Sequence, residues 1–382
     1  MSRKICIVTG SRAEWGLLSP IARRLSETDG VEVDIVATNM HLSERYGLTV
    51  NEIVRDGFEV AASVPMEADR DDEVGKAHAM GLCLSGMADA FERLNPDAVM
   101  ILGDRYEMLA VASAAVVMRI PIIHLHGGEI SEGAVDDSIR HAITKMASLH
   151  LTATEEFRRR VIRMGEEPES VVNTGAIGVY NIMHLPLMAR EELSESVGFD
   201  LSGDYVVVTY HPATLDPADP ADRMGALIEA LDRFRELKVI VTYPNNDARG
   251  QRIIPLIDRW STVNPQRVKA IPSLGLTRYL SALKYARAAV GNSSSGLIEV
   301  PSMGIPTVNV GIRQQGRLAG ESVYSCGDSA DEIARTLFFA LSPEGQQKAR
   351  EAANPYAREN TLELIVDAVL TKPLNSSKHF YE

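Results

Sequence analysis

Cysteine is scarce in this chain: Cys6, Cys83 and Cys326 are the only three in 382 residues, far apart and odd in number. That spacing argues against a disulfide framework, and the absence of a CxxC pair leaves no zinc-site signature. The set suits a reducing, cytoplasmic compartment. Positive charge is also short, with 39 Lys+Arg against 52 Asp+Glu and a formal net charge of -13. No basic stripe is present to hold nucleic acid or an anionic membrane surface, so neither is expected as a partner. An anionic small ligand would need local positive groups within an acidic body. Long apolar runs are missing as well, since no stretch reaches the roughly 18 residues of a membrane span. Met1-Ser2-Arg3-Lys4 leads into strand-like sequence without an apolar signal core, so the chain is expected to be neither secreted nor membrane-spanning.

What is present is a repeated alternation. The length suggests two domains at roughly 100–200 residues each, and 45% hydrophobic residues is ordinary for a globular chain. Short apolar runs occur at 5–8, 33–36, 98–102, 122–125, 149–151 and 171–172, with helix-length segments between most of them. A second series lies at 205–209, 239–241, 268–270, 289–290 and 307–309. Strands alternating with helices predict βαβ units and parallel sheets. The expected fold is α/β: two Rossmann-like domains, 1–180 and 181–364, with sheets facing across a cleft. A helix over about 362–370 and the tail at 365–382 are expected to return to the first domain. Asn375-Ser376-Ser377-Lys378 is expected to be frayed.

In such sheets, ligands sit beyond the carboxyl ends of the strands. The loops there begin at Gly10-Ser11-Arg12-Ala13-Glu14, Gly103-Asp104-Arg105, His126-Gly127-Gly128-Glu129, Tyr210-His211-Pro212, Tyr243-Pro244-Asn245, Gly291 and Gly311-Ile312-Arg313. Nearly all combine glycine with charged or hydrogen-bonding residues. After Ala288-Ala289-Val290, the run Gly291-Asn292-Ser293-Ser294-Ser295-Gly296 reads as a strand exit into a capped helix. Free amides and the macrodipole of that helix would suit a phosphate, with Glu299 one to two turns inside and able to accept from a ribose. The plain alternative is an ordinary Ser-capped helix. Asp104 is read either as the cap of a helix starting near Tyr106 or as a functional acid, and Arg105 either as its charge partner or as a phosphate ligand. His124 and His126 would share a strand face with Glu129 just beyond. That set permits a metal reading, an acid/base reading with Glu129 oriented by His126, or a structural one. Asp136 and Asp137 open an amphipathic helix running to Lys145. With Glu129 they would form a carboxylate cluster whose repulsion raises one pKa. His211 faces ligand at a strand end, and Arg313, or else Arg317, would offer a planar fork to a diphosphate.

Taken together, these motifs resemble the UDP-N-acetylglucosamine 2-epimerase family, and within it the hydrolysing branch that makes N-acetylmannosamine and UDP for sialic acid synthesis. The resemblance runs over nearly the whole chain, from Gly10-Ser11-Arg12-Ala13-Glu14 to Arg317, with Trp15 standing where the family pattern has tyrosine. It implies a glycosyltransferase-B type fold that closes over a UDP-sugar, a homodimer or larger assembly, and no metal or nicotinamide cofactor. By that resemblance Arg12, Arg105, His211, Asn245, Asn292, Ser293, Ser294, Ser295, Gly296, Glu299 and Arg313 would bind UDP-sugar. Asp104, Glu129 and an acid of the Asp136/Asp137 pair would be catalytic, with His211 stabilising the leaving group.

The substrate's chemistry constrains the order of events. C2–H of the sugar has no adjacent carbonyl, so departure of UDP must lead and build oxocarbenium character that acidifies it. A carboxylate, Glu129 first and Asp104 second, would take the proton to leave a glycal, which water would hydrate. Donors at the leaving diphosphate would carry the developing charge. The rivals are a non-hydrolysing epimerase, a hydrolysing enzyme for a diacetylated 6-deoxy sugar nucleotide of the legionaminic acid pathway, a retaining glycosyltransferase, and a silent UDP-sugar sensor.

Overall fold

The computed structural model describes residues 3–67, 70 and 72–382. The chain divides into two compact units, one comprising Met1–Glu129, Asp136–Tyr180 and Arg358–Glu382, the other Ile130–Val135 and Asn181–Ala357. Two details depart from the boundaries read in the sequence. The return to the first unit starts at Arg358, and Ile130–Val135 groups with the second. There the N–H of Glu132 donates to the carbonyl of Gln315 at 3.0 Å, and the N–H of Leu215 to that of Gly133 at 3.3 Å.

In the first unit seven strands form one sheet: β1 (Arg3–Thr9), β2 (Val31–Thr38), β3 (Val60–Val64), β4 (Ala98–Leu102), β5 (Ile122–Leu125), β6 (Leu149–Thr152) and β7 (Val171–Asn173). Their order is β3-β2-β1-β4-β5-β6-β7, and every pairing is parallel. Successive residues of a strand face opposite sides. Ile5 and Ile7 therefore enter one core while Cys6 and Val8 enter the other. Each fully buried Ile or Val side chain contributes about 1.5–3 kcal/mol through removal from water. The C-terminal helix Thr361–Thr371 inserts Ile365, Val366 and Val369 into the core that holds Ile5 and Ile7.

The residues after this helix are not frayed. Lys378 Nζ lies 2.6 Å from Glu166 Oε2, the Ser148 hydroxyl donates to the Asn375 carbonyl at 2.7 Å, and Tyr381 N–H donates to the Gly165 carbonyl at 3.1 Å. A buried carboxylate waiting for a cation fixes a polar tail whose composition alone reads as loose.

The second unit repeats the plan with β8 (Tyr205–Thr209), β9 (Lys238–Thr242), β10 (Val268–Ile271), β11 (Ala288–Gly291), β12 (Thr307–Val310) and β13 (Val323–Cys326). The order is β10-β9-β8-β11-β12-β13, again parallel throughout. Strand order reverses direction at β1/β4 in the first sheet and at β8/β11 in the second, and such switch points open a crevice at the carboxyl ends of the strands. Among the described residues no helix is long and apolar enough to cross a membrane.

Candidate active site

In the first unit two candidate acids, Asp104 and Asp137, and the backbone of a third, Glu129, converge on Arg140. The helix Asp136–Met146 buries Arg140, Ile143 and Thr144 along one stripe, as the three- and four-residue spacing on a helix requires. Arg140 is only 1% exposed. Its Nη2 donates to Asp104 Oδ2, and its Nη1 donates to the Glu129 carbonyl at 2.9 Å and to Asp137 Oδ1 at 3.3 Å. One guanidinium thus collects the loop after β4, the loop after β5 and the start of the helix. Asp104 is consequently not a helix cap: the cap position of Tyr106–Val117 is Arg105, which makes no side-chain capping bond. Arg105 Nε donates to Glu107 Oε1 at 2.8 Å.

The two histidines of β5 and its exit separate in role. His124 is fully buried, with Nε2 2.7 Å from the Gly103 carbonyl. Burial drives its pKa down to about 3, so the ring is neutral and donates from Nε2, which removes that nitrogen from any metal set. His126 lies beyond the strand in a left-handed conformation with φ 65°, which breaks the expected shared face. Its Nδ1 sits 2.7 Å from Glu129 Oε1, and Glu129 is 0% exposed. Asp136 opens the helix, while Asp137 lies 3.6 Å from His141 Nε2 as well as near Arg140. Arg12 begins the helix Arg12–Ser26 and pairs with Glu52 at 2.8 Å.

In the second unit the organising residue is Asn292. Gly291, with φ 134°, ends β11 so close to β8 that a Cβ would lie 2.0 Å from the Thr209 carbonyl oxygen. Asn292 follows, 1% exposed, and accepts from the His211 N–H at 2.7 Å while donating to the His211 carbonyl at 2.8 Å. Its own carbonyl accepts from Arg313 Nη1 at 3.1 Å and from Gln314 Nε2 at 2.9 Å. His211 Nδ1 accepts from the Asn245 N–H at 3.0 Å. A neutral His211 therefore carries its proton on Nε2.

The serine run differs from the expected capped helix with Glu299 one to two turns inside it. Only Ser295–Ile298 is α-helical, followed by the 3-10 turn Val300–Met303 with Pro301 inside it, and Glu299 stands at the junction. Ser294 is the cap position but makes no side-chain capping bond. One turn carries little macrodipole, so any anion here would meet loop amides and side chains. Ser295 Oγ is within 3.0 Å of the Tyr279 hydroxyl. Thr209, Tyr279, Gly291, Ser293, Gly296 and Thr307 line a pocket under this turn.

Sequence reasoning singled out neither Arg140, Gln314 nor Tyr279. The one available signal for Arg140 was its position on the helix stripe with Ile143 and Thr144.

The chain is similar to known proteins over most of its length. Residues 23–370 match the family described as UDP-N-acetylglucosamine 2-epimerase. The chain is 38% identical over 321 residues, 84% of its length and 83% of the other, to the GDP/UDP-N,N'-diacetylbacillosamine 2-epimerase (hydrolyzing) of Campylobacter jejuni. It is 37% identical over 384 aligned residues to polysialic acid biosynthesis protein P7 of Escherichia coli, covering 100% of this chain and 97% of that one. A similar fold is that of the UDP-GlcNAc 2-epimerase from Neisseria meningitidis bound to UDP-GlcNAc, with a TM-score of 0.79, 15% identity, and 97% and 100% of the two chains covered. The chain therefore belongs to the UDP-N-acetylglucosamine 2-epimerase family, on its hydrolysing branch.

Proposed function

We propose that this protein is a hydrolysing 2-epimerase that converts UDP-N-acetylglucosamine and water to N-acetylmannosamine and UDP. The observation that carries the reading is the convergence of Asp104, Asp137 and the Glu129 backbone on Arg140, with Glu129 held by His126. In the first step the C1–O bond to UDP breaks, its electron pair leaving with the diphosphate, and Glu129 takes the C2 proton, so that C1=C2 forms. Asp104 is the alternative base. In the second step water adds its hydroxyl to C1, and an acid of the Asp136/Asp137 pair or the protonated base returns a proton to C2 on the opposite face. His211 Nε2–H, Arg313 and the loop amides of 292–296 would stabilise the departing diphosphate, where the negative charge grows. Asn245 orients His211, and Glu299 would accept from the ribose.

A second substrate reading has its own support. The Campylobacter jejuni relative named for diacetylbacillosamine covers most of this chain, so the UDP derivative of that diacetylated 6-deoxy sugar is the alternative. Proton NMR in deuterium oxide, with each UDP-sugar supplied in turn and no added metal, tests both. The expected result is UDP together with free N-acetylmannosamine deuterated at C2. UDP-N-acetylmannosamine as product would overturn the hydrolysing assignment, and turnover of the diacetylated sugar alone would transfer it to the second substrate.

A further inference from the structure

At the switch point of the first sheet, the loops after β1 and β4 meet through two buried carboxyls. Glu14 is 5% exposed and Glu107 is 0% exposed. Glu14 Oε2 accepts from the Gly10 N–H at 2.6 Å. A Cβ on Gly10 would lie 2.8 Å from Glu107 Oε1 and 3.3 Å from Glu14 Oε2, so the two acids enclose that backbone. Arg105 Nε lies 2.8 Å from Glu107 Oε1 and 3.9 Å from Glu14 Oε1. Glu14 Oε1 and Glu107 Oε2 are buried with no hydrogen-bond partner. The reaction steps above use neither acid.

We infer that Glu14 and Glu107 are positioning residues for the anionic part of the substrate: enclosing Gly10 and both facing the Arg105 guanidinium, they tie the Gly10–Arg12 loop to Arg105. This rests on the UDP-sugar reading above.

The surrounding charges leave few other arrangements. Arg12, next to Glu14 on the same helix, is paired with Glu52. His41, whose Nε2 lies 3.0 Å from Thr9 Oγ1, has its pKa lowered to about 4 by burial and is neutral. The Cys83 thiol approaches the Glu107 carbonyl, and burial together with the Glu107 charge pushes it up to about 12. Arg105 is thus the cation directly facing both acids. Burial, and then the charge of Glu107, push Glu14 up to about 8, so it is protonated at neutral pH. When Glu14 ionises, a second negative charge appears beside Arg105 and repels Glu107 across Gly10. The guanidinium is drawn inward and the loop bearing Arg12 loosens, both of which weaken anion binding.

Steady-state kinetics from about pH 6.5 to about pH 9.5, for the wild type and for Glu14→Gln, tests this. The wild-type KM is expected to rise about tenfold across the upper part of that range with a smaller change in kcat, while in Glu14→Gln it rises less than about twofold. Infrared difference spectra between the two ends of the range provide a readout independent of activity. The band of a protonated carboxyl, present at neutral pH in the wild type, should be missing from Glu14→Gln. An equal alkaline rise of KM in both proteins, or a carboxyl band unchanged in the variant, would overturn the inference. If no UDP-sugar is turned over, the functional reading fails by itself. The infrared band and the pH dependence of the UDP dissociation constant then still decide this one.

Discussion

The side-chain amide of Asn292 holds the backbone of His211 from both sides, accepting its N–H at 2.7 Å and donating to its carbonyl at 2.8 Å. A residue at the end of β11 thereby fixes the neighbouring strand end of β8, where the switch-point crevice opens. Asn292→Asp keeps the acceptor and loses the donor, setting a carboxylate against the His211 carbonyl. The variant is expected to lose about 1–3 kcal/mol of stability and to bind UDP about tenfold more weakly, because His211 takes its place from the Asn292 side chain. Thermal melting and titration calorimetry with UDP measure the two effects. Wild-type UDP affinity in a destabilised variant would show that the clamp serves the fold alone.

Arg140 is the corresponding residue in the first unit, and its burial sets the size of the effect. Arg140→Met strands the Glu129 carbonyl and removes the cation from Asp104 and Asp137. Breaking a buried pair from one side costs about 3–5 kcal/mol, and kcat is expected to fall by about a thousandfold or more as the acids lose their alignment. Arg140→Lys keeps the charge without the fork and cannot reach all three acceptors at once, so it should melt between the wild type and the methionine variant. A folded Arg140→Met enzyme with wild-type kcat would remove Arg140 from the catalytic arrangement.

The positions of most strands along the chain and the identity of the strand-end loops were legible in the sequence, and the reason is burial. Val206-Val207-Val208 or Met100-Ile101 are covered on both sheet faces, and such strands read as apolar runs. The strands that were not legible are the edges β3 and β13, Val60–Val64 and Val323–Cys326, which are half-exposed and carry Ala, Ser and Cys in place of an apolar run. The strand-end rule marked Asp104, Glu129, His211 and Asn292 by position alone. It could not supply their partners. The bond from Arg140 to Asp104 spans 36 positions, and the one from Asn292 to His211 spans 81, so only the assembled sheets bring them together. The serine-rich run was misjudged in length because Pro301 follows within one turn and has no N–H to continue the α-helical ladder, which local capping preference does not register.

Assignment of the base rests on Glu129 and His126, 2.7 Å apart. Glu129→Gln is expected to lower kcat about a thousandfold while leaving UDP binding within about twofold, since the amide has the same shape but takes no proton. Asp104→Asn provides the comparison: the larger loss of C2–H exchange into deuterium oxide identifies the base. His126→Asn should lower kcat by a smaller factor, about tenfold, if the ring orients the carboxylate and is not itself the base.

The tail cluster at Glu166 predicts how the first unit responds to acid. Glu166 is 1% exposed and lies within 3.0 Å of His150 Nε2, Lys145 Nζ and Lys378 Nζ. Desolvation alone would raise its pKa, but the hydrogen bonds from His150, Lys145 and Lys378 outweigh it and hold the carboxyl down to about 2. The folded pKa is below the unfolded one. The stabilisation is therefore fully present above the ordinary glutamate value of about 4.3 and disappears as pH falls through about 2. It amounts to at most on the order of 3 kcal/mol. Glu166→Gln should melt lower than the wild type at neutral pH, and the gap should narrow steadily between about pH 4.5 and about pH 2. Lys378→Met removes one of the donors and should take away part of the same difference, together with protection of the 375–381 amides against hydrogen exchange. A gap between wild type and Glu166→Gln that stays constant through that acid window would mean that the carboxylate draws no net stabilisation from its partners.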